Sequence, residues 1–325
     1  MPTLNDPLRI NDYCLPNRIV FPPIQTRSST KTGEVTAKLL EHYIQRTPSL
    51  GLLIVEHGYV SQDGKLSDHE LGIHEDHLLP GLQQLTTRLH AFSPPLILQI
   101  NHAGAQTQQS VTGVKPLAPS ASDKAREISH NDLEMLLSRF TEAAERAIHV
   151  GFDGVELHGA HGFLLNQFTS PLTNHRTDAY GGTLEKRIRF PLELVEQIKT
   201  RIGNHLLLYR LGADDLHPNG VSMDESITFA MKLVNAGVDI LDVSGGICGS
   251  RPQQVQNTQG FFISQANQVK THVPVPVIGV GGIVDPEFAN TLIINDEVDL
   301  VAVGRAILKD PLWAHQALLK SNSAS

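Results

Sequence analysis

Cysteine is nearly absent: Cys14 and Cys248 are the two in the chain. They stand far apart and form no CxxC, which excludes a zinc ribbon, a cysteine-held iron–sulfur cluster and a disulfide framework. A reducing cytoplasm is the expected location. No apolar run approaches the length needed to cross a bilayer. The opening residues, Met1-Pro-Thr-Leu-Asn-Asp6, have neither the basic segment nor the apolar core of an export signal. Cationic runs are missing too. Lys and Arg number 26 against 34 Asp and Glu, for a formal net charge of -8, so neither nucleic acid nor an anionic membrane is an expected partner. What is present is an ordinary globular composition, 40% hydrophobic and 18% charged over 325 residues, enough to bury a large core. Small-molecule partners are expected, and the oligomeric state, including a homo-oligomer, stays open.

Short apolar, β-branched runs recur at 18–21, 52–55, 96–98, 154–157, 206–209, 240–243, 275–278 and 300–303, each followed by a helical pattern. Near-continuous apolar strands alternating with helices describe a parallel sheet covered on its outer face. Residues 131–150 place Leu133, Leu136, Leu137, Phe140, Ala144 and Ala147 at helical spacing. Ser222-Met-Asp-Glu225 has the spacing of a capping box, with Gly237 suited to the helix end. Asp285-Pro286 and Asp310-Pro311 each place an N-cap acid before a proline. No Pro/Gly/Ser-rich linker divides the chain, and the GxGxxG turn of an open dinucleotide-binding sheet is missing. The expectation is a single-domain α/β protein, a (β/α)8 TIM barrel, within residues 1–325, with the barrel over about 8–318 and a frayed tail at 319–325.

Active sites of this fold lie at the carboxyl ends of the strands. Following the runs stand Gln25, Glu56-His57, Gln99, His158 with His161, Arg210, Gly281-Gly282 and Gly304-Arg305. The two glycine pairs follow the last two strands, where barrels commonly hold phosphate on backbone N–H groups, and Arg305 could add a clamp. His158 and His161 could both donate to one acceptor oxygen. They could also bind a metal with Glu156, as in a hydrolase, although Glu156 lies within a strand. Arg210 calls for an anionic partner, either a ligand or Asp214 or Asp215. No strand ends in the lysine that a Schiff-base aldolase requires.

Asn17-Arg-Ile-Val-Phe-Pro-Pro-Ile24 and Leu98-Gln-Ile-Asn-His-Ala-Gly104 resemble the first and third strands of the old yellow enzyme family. His158-Gly-Ala-His-Gly-Phe-Leu-Leu-Asn-Gln-Phe168 is the longest match. It runs on through Ser170-Pro-Leu-Thr-Asn-His-Arg-Thr-Asp-Ala-Tyr-Gly-Gly182 to Glu185-Lys-Arg-Ile-Arg-Phe190. The resemblance implies bound FMN, with Pro23, Ile24, Gln25 and His57 beside the ring and Gln99 and Arg210 on its pyrimidine edge. Gly281, Gly282, Gly304 and Arg305 would surround the phosphate. His158 and His161 match the pair that grips the substrate oxygen. The implied reaction is ping-pong hydride transfer from NADH or NADPH to an activated alkene, quinone or nitro compound. Three positions depart from the pattern. Phe163 replaces a proton-donating tyrosine, Gln25 replaces a threonine or cysteine, and Arg27 stands where one branch has a substrate-contacting tyrosine. A flavin-binding protein without turnover is the alternative these departures leave.

Overall fold

The computed structural model describes residues 1–92, 94–255 and 257–323. Eight parallel strands close on themselves: β1 (Ile19–Phe21), β2 (Leu52–Tyr59), β3 (Leu96–Asn101), β4 (Gly154–Gly159), β5 (Leu206–Asp214), β6 (Ile240–Gly245), β7 (Val277–Gly279) and β8 (Leu300–Ala302). β8 pairs with β1 and β1 with β2, which completes the barrel. Each of the eight apolar runs became one strand.

Alternation along each strand sorts the side chains into two cores, because successive residues point to opposite faces. Phe21, Leu53, Leu98, Val155, Leu207 and Val243 face the helices. Val20, Leu52, Ile54, Ile97, Leu208, Ile240 and Ile278 fill the interior. A hairpin formed by Leu8–Ile10 and Tyr13–Leu15 adds Ile10 and Leu15 to that interior cluster. Asn11 in its turn donates to Asp239, just before β6, so the hairpin closes the barrel at the amino ends of the strands. Each fully buried aliphatic side chain stabilises the fold by about 1.5–3 kcal/mol.

The helix read at 131–150 spans His130–His149, and Ser129 and Asp132 form a reciprocal capping box at its start. Ser222 accepts from the Glu225 backbone, but the Glu225 carboxylate is turned to Arg187, 2.7 Å away. Only half of that expected box forms, because a buried guanidinium competes better for the carboxylate than a backbone N–H. Asp285 caps Pro286–Ile294 as expected. Asp310 does not place Pro311 at a helix start: its Oδ1 takes the N–H of Leu312, and the last helix begins at Trp313. The tail expected to fray continues that helix to Ser323, anchored where buried Ser321 meets Asn5; residues 324 and 325 lie outside those described.

No described helix is long and apolar enough to cross a membrane.

Candidate active site

A cavity of about 520 Å³ opens at the carboxyl ends of the strands, the size range of cofactor and small-molecule sites. Pro23, Ile24, Gln25, His57, His158, His161, Phe163, Arg210, Gly281, Gly282, Gly304 and Arg305 all line it. Two of the expected residues do not. Arg27 is exposed, with φ at 53°. Gln99 is fully buried and donates from Nε2 to Glu156 Oε1 at 2.7 Å, in register with it on the neighbouring strand. Sequence reasoning missed Leu66, Ser250, Arg251 and Phe261, which also form the wall. These come from loops that start several residues beyond a strand end, so a search confined to strand ends passes over them.

Beneath the cavity floor the barrel interior turns polar. Arg210 and Asp242 are register partners on β5 and β6, with Nη1 3.0 Å from Oδ2. The two atoms are ion-paired but poorly aligned, with no hydrogen bond between them, and Arg210 Nε lacks a partner. The expected alternatives, Asp214 and Asp215, are engaged elsewhere, with Leu216 and with Ser170 and Val221 respectively. Burial and the neighbouring Asp242 hold the Glu156 carboxyl well above the ordinary range. Burial raises Asp242 as well, opposed by Arg210 and by a hydrogen bond from Glu156. Glu156 therefore carries a proton and Asp242 a charge, since two facing carboxylates in a dry interior cannot both ionise.

A register irregularity between Val55 and Gly58 in β2 sends consecutive side chains to different surroundings. Glu56 accepts from Thr26 N at 3.0 Å and Thr26 Oγ1 at 2.7 Å, while His57 faces the cavity. His57 Nδ1 lies 2.7 Å from Glu70 Oε1. His158 and His161 stand edge to face with ring centroids 5.0 Å apart. Burial, with nearby positive charge, pushes both well below the usual imidazole range, so both are neutral. His161 Nε2 meets Ser244 Oγ at 2.8 Å, and His158 Nδ1 is buried without a partner. His161 holds φ at 58°, a left-handed conformation that non-glycine residues adopt seldom. A metal site would need a third ligand. Glu156 is turned to Gln99 and Asp242, and among the described residues no three His, Cys, Asp or Glu converge.

At the opposite end, Arg305 and Arg251 sit close enough to depress the Arg305 pKa, after burial, and neither has an ion-pair partner among the described residues. Gly281 and Gly282 have φ of 136° and 66°. A Cβ on Gly282 would stand 2.7 Å from Arg305 Nη2. This end is positively charged, lined by bare backbone, and suited to a phosphate.

Residues 3–322 match the NADH:flavin oxidoreductase / NADH oxidase family. An NADH oxidase of Thermoanaerobacter brockii is 38% identical over 97% of this chain, which spans 50% of that protein's length. An NADPH dehydrogenase of Bacillus cytotoxicus is 34% identical over 97% of this chain and 91% of its own. The solved structure of an old yellow enzyme homologue from Zymomonas mobilis superposes with a TM-score of 0.87 at 26% identity, covering 98% of this chain and 93% of that one. Fold, cavity and sequence agree, and the chain belongs to the NADH:flavin oxidoreductase family of old yellow enzymes.

Proposed function

We propose that this cavity holds FMN between the Arg210 floor and the Arg305 end, and that the protein passes hydride from NADH or NADPH to an electron-poor alkene, quinone or nitro compound. Bound FMN would supply the two-electron chemistry that no side chain provides. The observation that carries this is the pairing of unmet needs at the two ends of one cavity. Arg210 Nε is buried without an acceptor, and Arg305 has no carboxylate partner among the described residues. A ring edge that gathers negative charge satisfies the first and a phosphate the second. Gln25, whose Nε2 donates to Ser67 at 3.0 Å, keeps its carbonyl oxygen for the wall. The free thiols of Cys14 and Cys248 suit the cytoplasm, where we place the protein.

Two outcomes test this. Denaturing the purified protein is expected to release FMN in a one-to-one ratio with the chain, with none covalently attached. A colourless protein that FMN cannot reconstitute would falsify the assignment.

The second outcome concerns the histidines. Being neutral, each carries one ring N–H. If Ser244 donates to His161 Nε2, the His161 proton sits on Nδ1 and becomes that ring's donor. A phenolate mimics the anionic oxygen that a reduced enone develops, so phenols are expected to bind and perturb the visible flavin spectrum. His158→Ala is expected to weaken that complex by about 1–3 kcal/mol, the worth of a lost hydrogen bond to a charged acceptor. Stoichiometric zinc in the purified protein, with activity lost to chelators, would point to a metal-dependent hydrolase instead.

A further inference from the structure

Reducing an activated alkene needs a proton as well as a hydride, and the cavity wall offers few sources. Phe163, whose ring packs 4.7 Å from that of His158 and 5.6 Å from that of His57, has no exchangeable proton. His158 and His161 are neutral, and Arg210 does not release protons at physiological pH. His57 differs from all of them. It is 5% exposed, lines the cavity, and has Nδ1 bound 2.7 Å from Glu70 Oε1. Glu70 is fully buried, and its other oxygen accepts from Leu66 N at 2.5 Å and Ser67 N at 3.3 Å. A carboxylate fixed by two backbone donors holds the ring in one orientation and leaves Nε2 as the nitrogen turned to the cavity.

We propose that His57 is the proton donor for alkene reduction and that Glu70 is its positioning residue. The proposal rests on the flavin oxidoreductase function proposed above. Bound flavin, reduced by NAD(P)H, would supply the hydride for the alkene β-carbon. The α-carbon gains the proton from His57 Nε2 as the π bond breaks. The neutral imidazole then recovers a proton from solvent through the open cavity.

The electrostatics support the geometry. Burial alone would lower the His57 pKa, but Glu70, by charge and hydrogen bond, and Glu56 beside it on the same strand outweigh burial and raise it. His158 on β4, His161 in the turn after it and Arg210 on β5 face it, and the positive charge of His57 is one of the influences that keep His158 and His161 neutral. One wall thus holds a histidine biased toward its charged form beside two neutral donors.

Stopped-flow reoxidation of the NADH-reduced protein by cyclohexenone and by benzoquinone tests this, because the quinone requires no proton at carbon. His57→Gln is expected to lower the enone-to-quinone rate ratio by about 10²–10⁴-fold, the contribution of a positioned general acid. In the wild type the enone rate is expected to fall as pH rises through the His57 pKa, because the acid is lost. Glu70→Gln should move that limb to lower pH, since it removes the main influence raising that pKa, an effect a merely structural Glu70 would not have. If His57→Gln fails to fold, the wild-type and Glu70→Gln profiles decide on their own. An unchanged ratio in His57→Gln, or a limb that Glu70→Gln does not move, overturns the proposal. A wild-type flavin that NAD(P)H cannot reduce overturns the function it rests on.

Discussion

Replacing both buried carboxyls, as Glu156→Gln with Asp242→Asn, is expected to destabilise the protein by about 3–5 kcal/mol, the cost of leaving a buried charge without its partner. Either change alone is expected to cost much less. Glu156→Gln keeps the Gln99 bond through its carbonyl and can donate to Asp242 through its amide, as the protonated acid does. Asp242→Asn removes the counterion of Arg210, but it also removes the like charge that, after burial, keeps Glu156 protonated, so the pull of Arg210 can draw Glu156 toward ionisation in its place. The double variant has no such reserve. Denaturant midpoints at constant slope would read the three costs, and a double variant costing no more than the sum of the singles would show that the carboxyls do not substitute for one another. The pH dependence has a definite sign. A carboxyl raised in the folded state contributes stability that is present below its unfolded pKa and lost as pH rises through the folded one. Glu156→Gln should therefore gain on the wild type as pH increases from about 4.5, the ordinary glutamate value.

The barrel was legible because its evidence is repeated eight times: each apolar run is short, each is followed by a helical period, and closure requires no further signal. The polar layer inside it was not. Glu156 and Asp242 sit within strands, where a one-dimensional reading takes an acid as a solvent-facing residue, and only the register of Arg210 with Asp242 shows that they share an interior. The same register makes Asp242, and not the alternatives Asp214 and Asp215, the side-chain partner of Arg210, leaving the ligand alternative open. Residues following strands were found because the fold places them at one rim. Gln99 is instructive, since it ends an apolar run yet points below the rim, where Glu156 holds it. Glu70 left no trace in sequence at all. It lies 13 positions from His57, beyond a loop, and the bond between them depends on how that loop closes.

Gly281 is where a single added methyl group is expected to have the next largest effect. Its φ of 136° lies in a region that side chains rarely adopt, and holding alanine there costs about 1–3 kcal/mol. The space is also taken. A Cβ would stand 2.5 Å from Phe261 N and 2.8 Å from Phe262 N, and these backbone atoms cannot swing aside as a flexible side chain could. They are tied to the same turn, because Phe261 N donates to Gly281 O and Phe262 N to Val280 O. Relief must come from moving the turn itself, at about 1–3 kcal/mol more if it follows other overpacked sites. The turn and Phe261 line the cavity next to Arg305, so displacement should separate the backbone from the proposed phosphate site while leaving Arg210 and the histidine wall in place. Gly281→Ala is therefore expected to weaken FMN binding by about tenfold or more, at 1.4 kcal/mol per factor of ten, and to weaken riboflavin, which lacks the phosphate, far less. Titrating the flavin-stripped variant with both ligands separates the two effects. Equal losses for FMN and riboflavin would mean that the turn supports the ring rather than the phosphate.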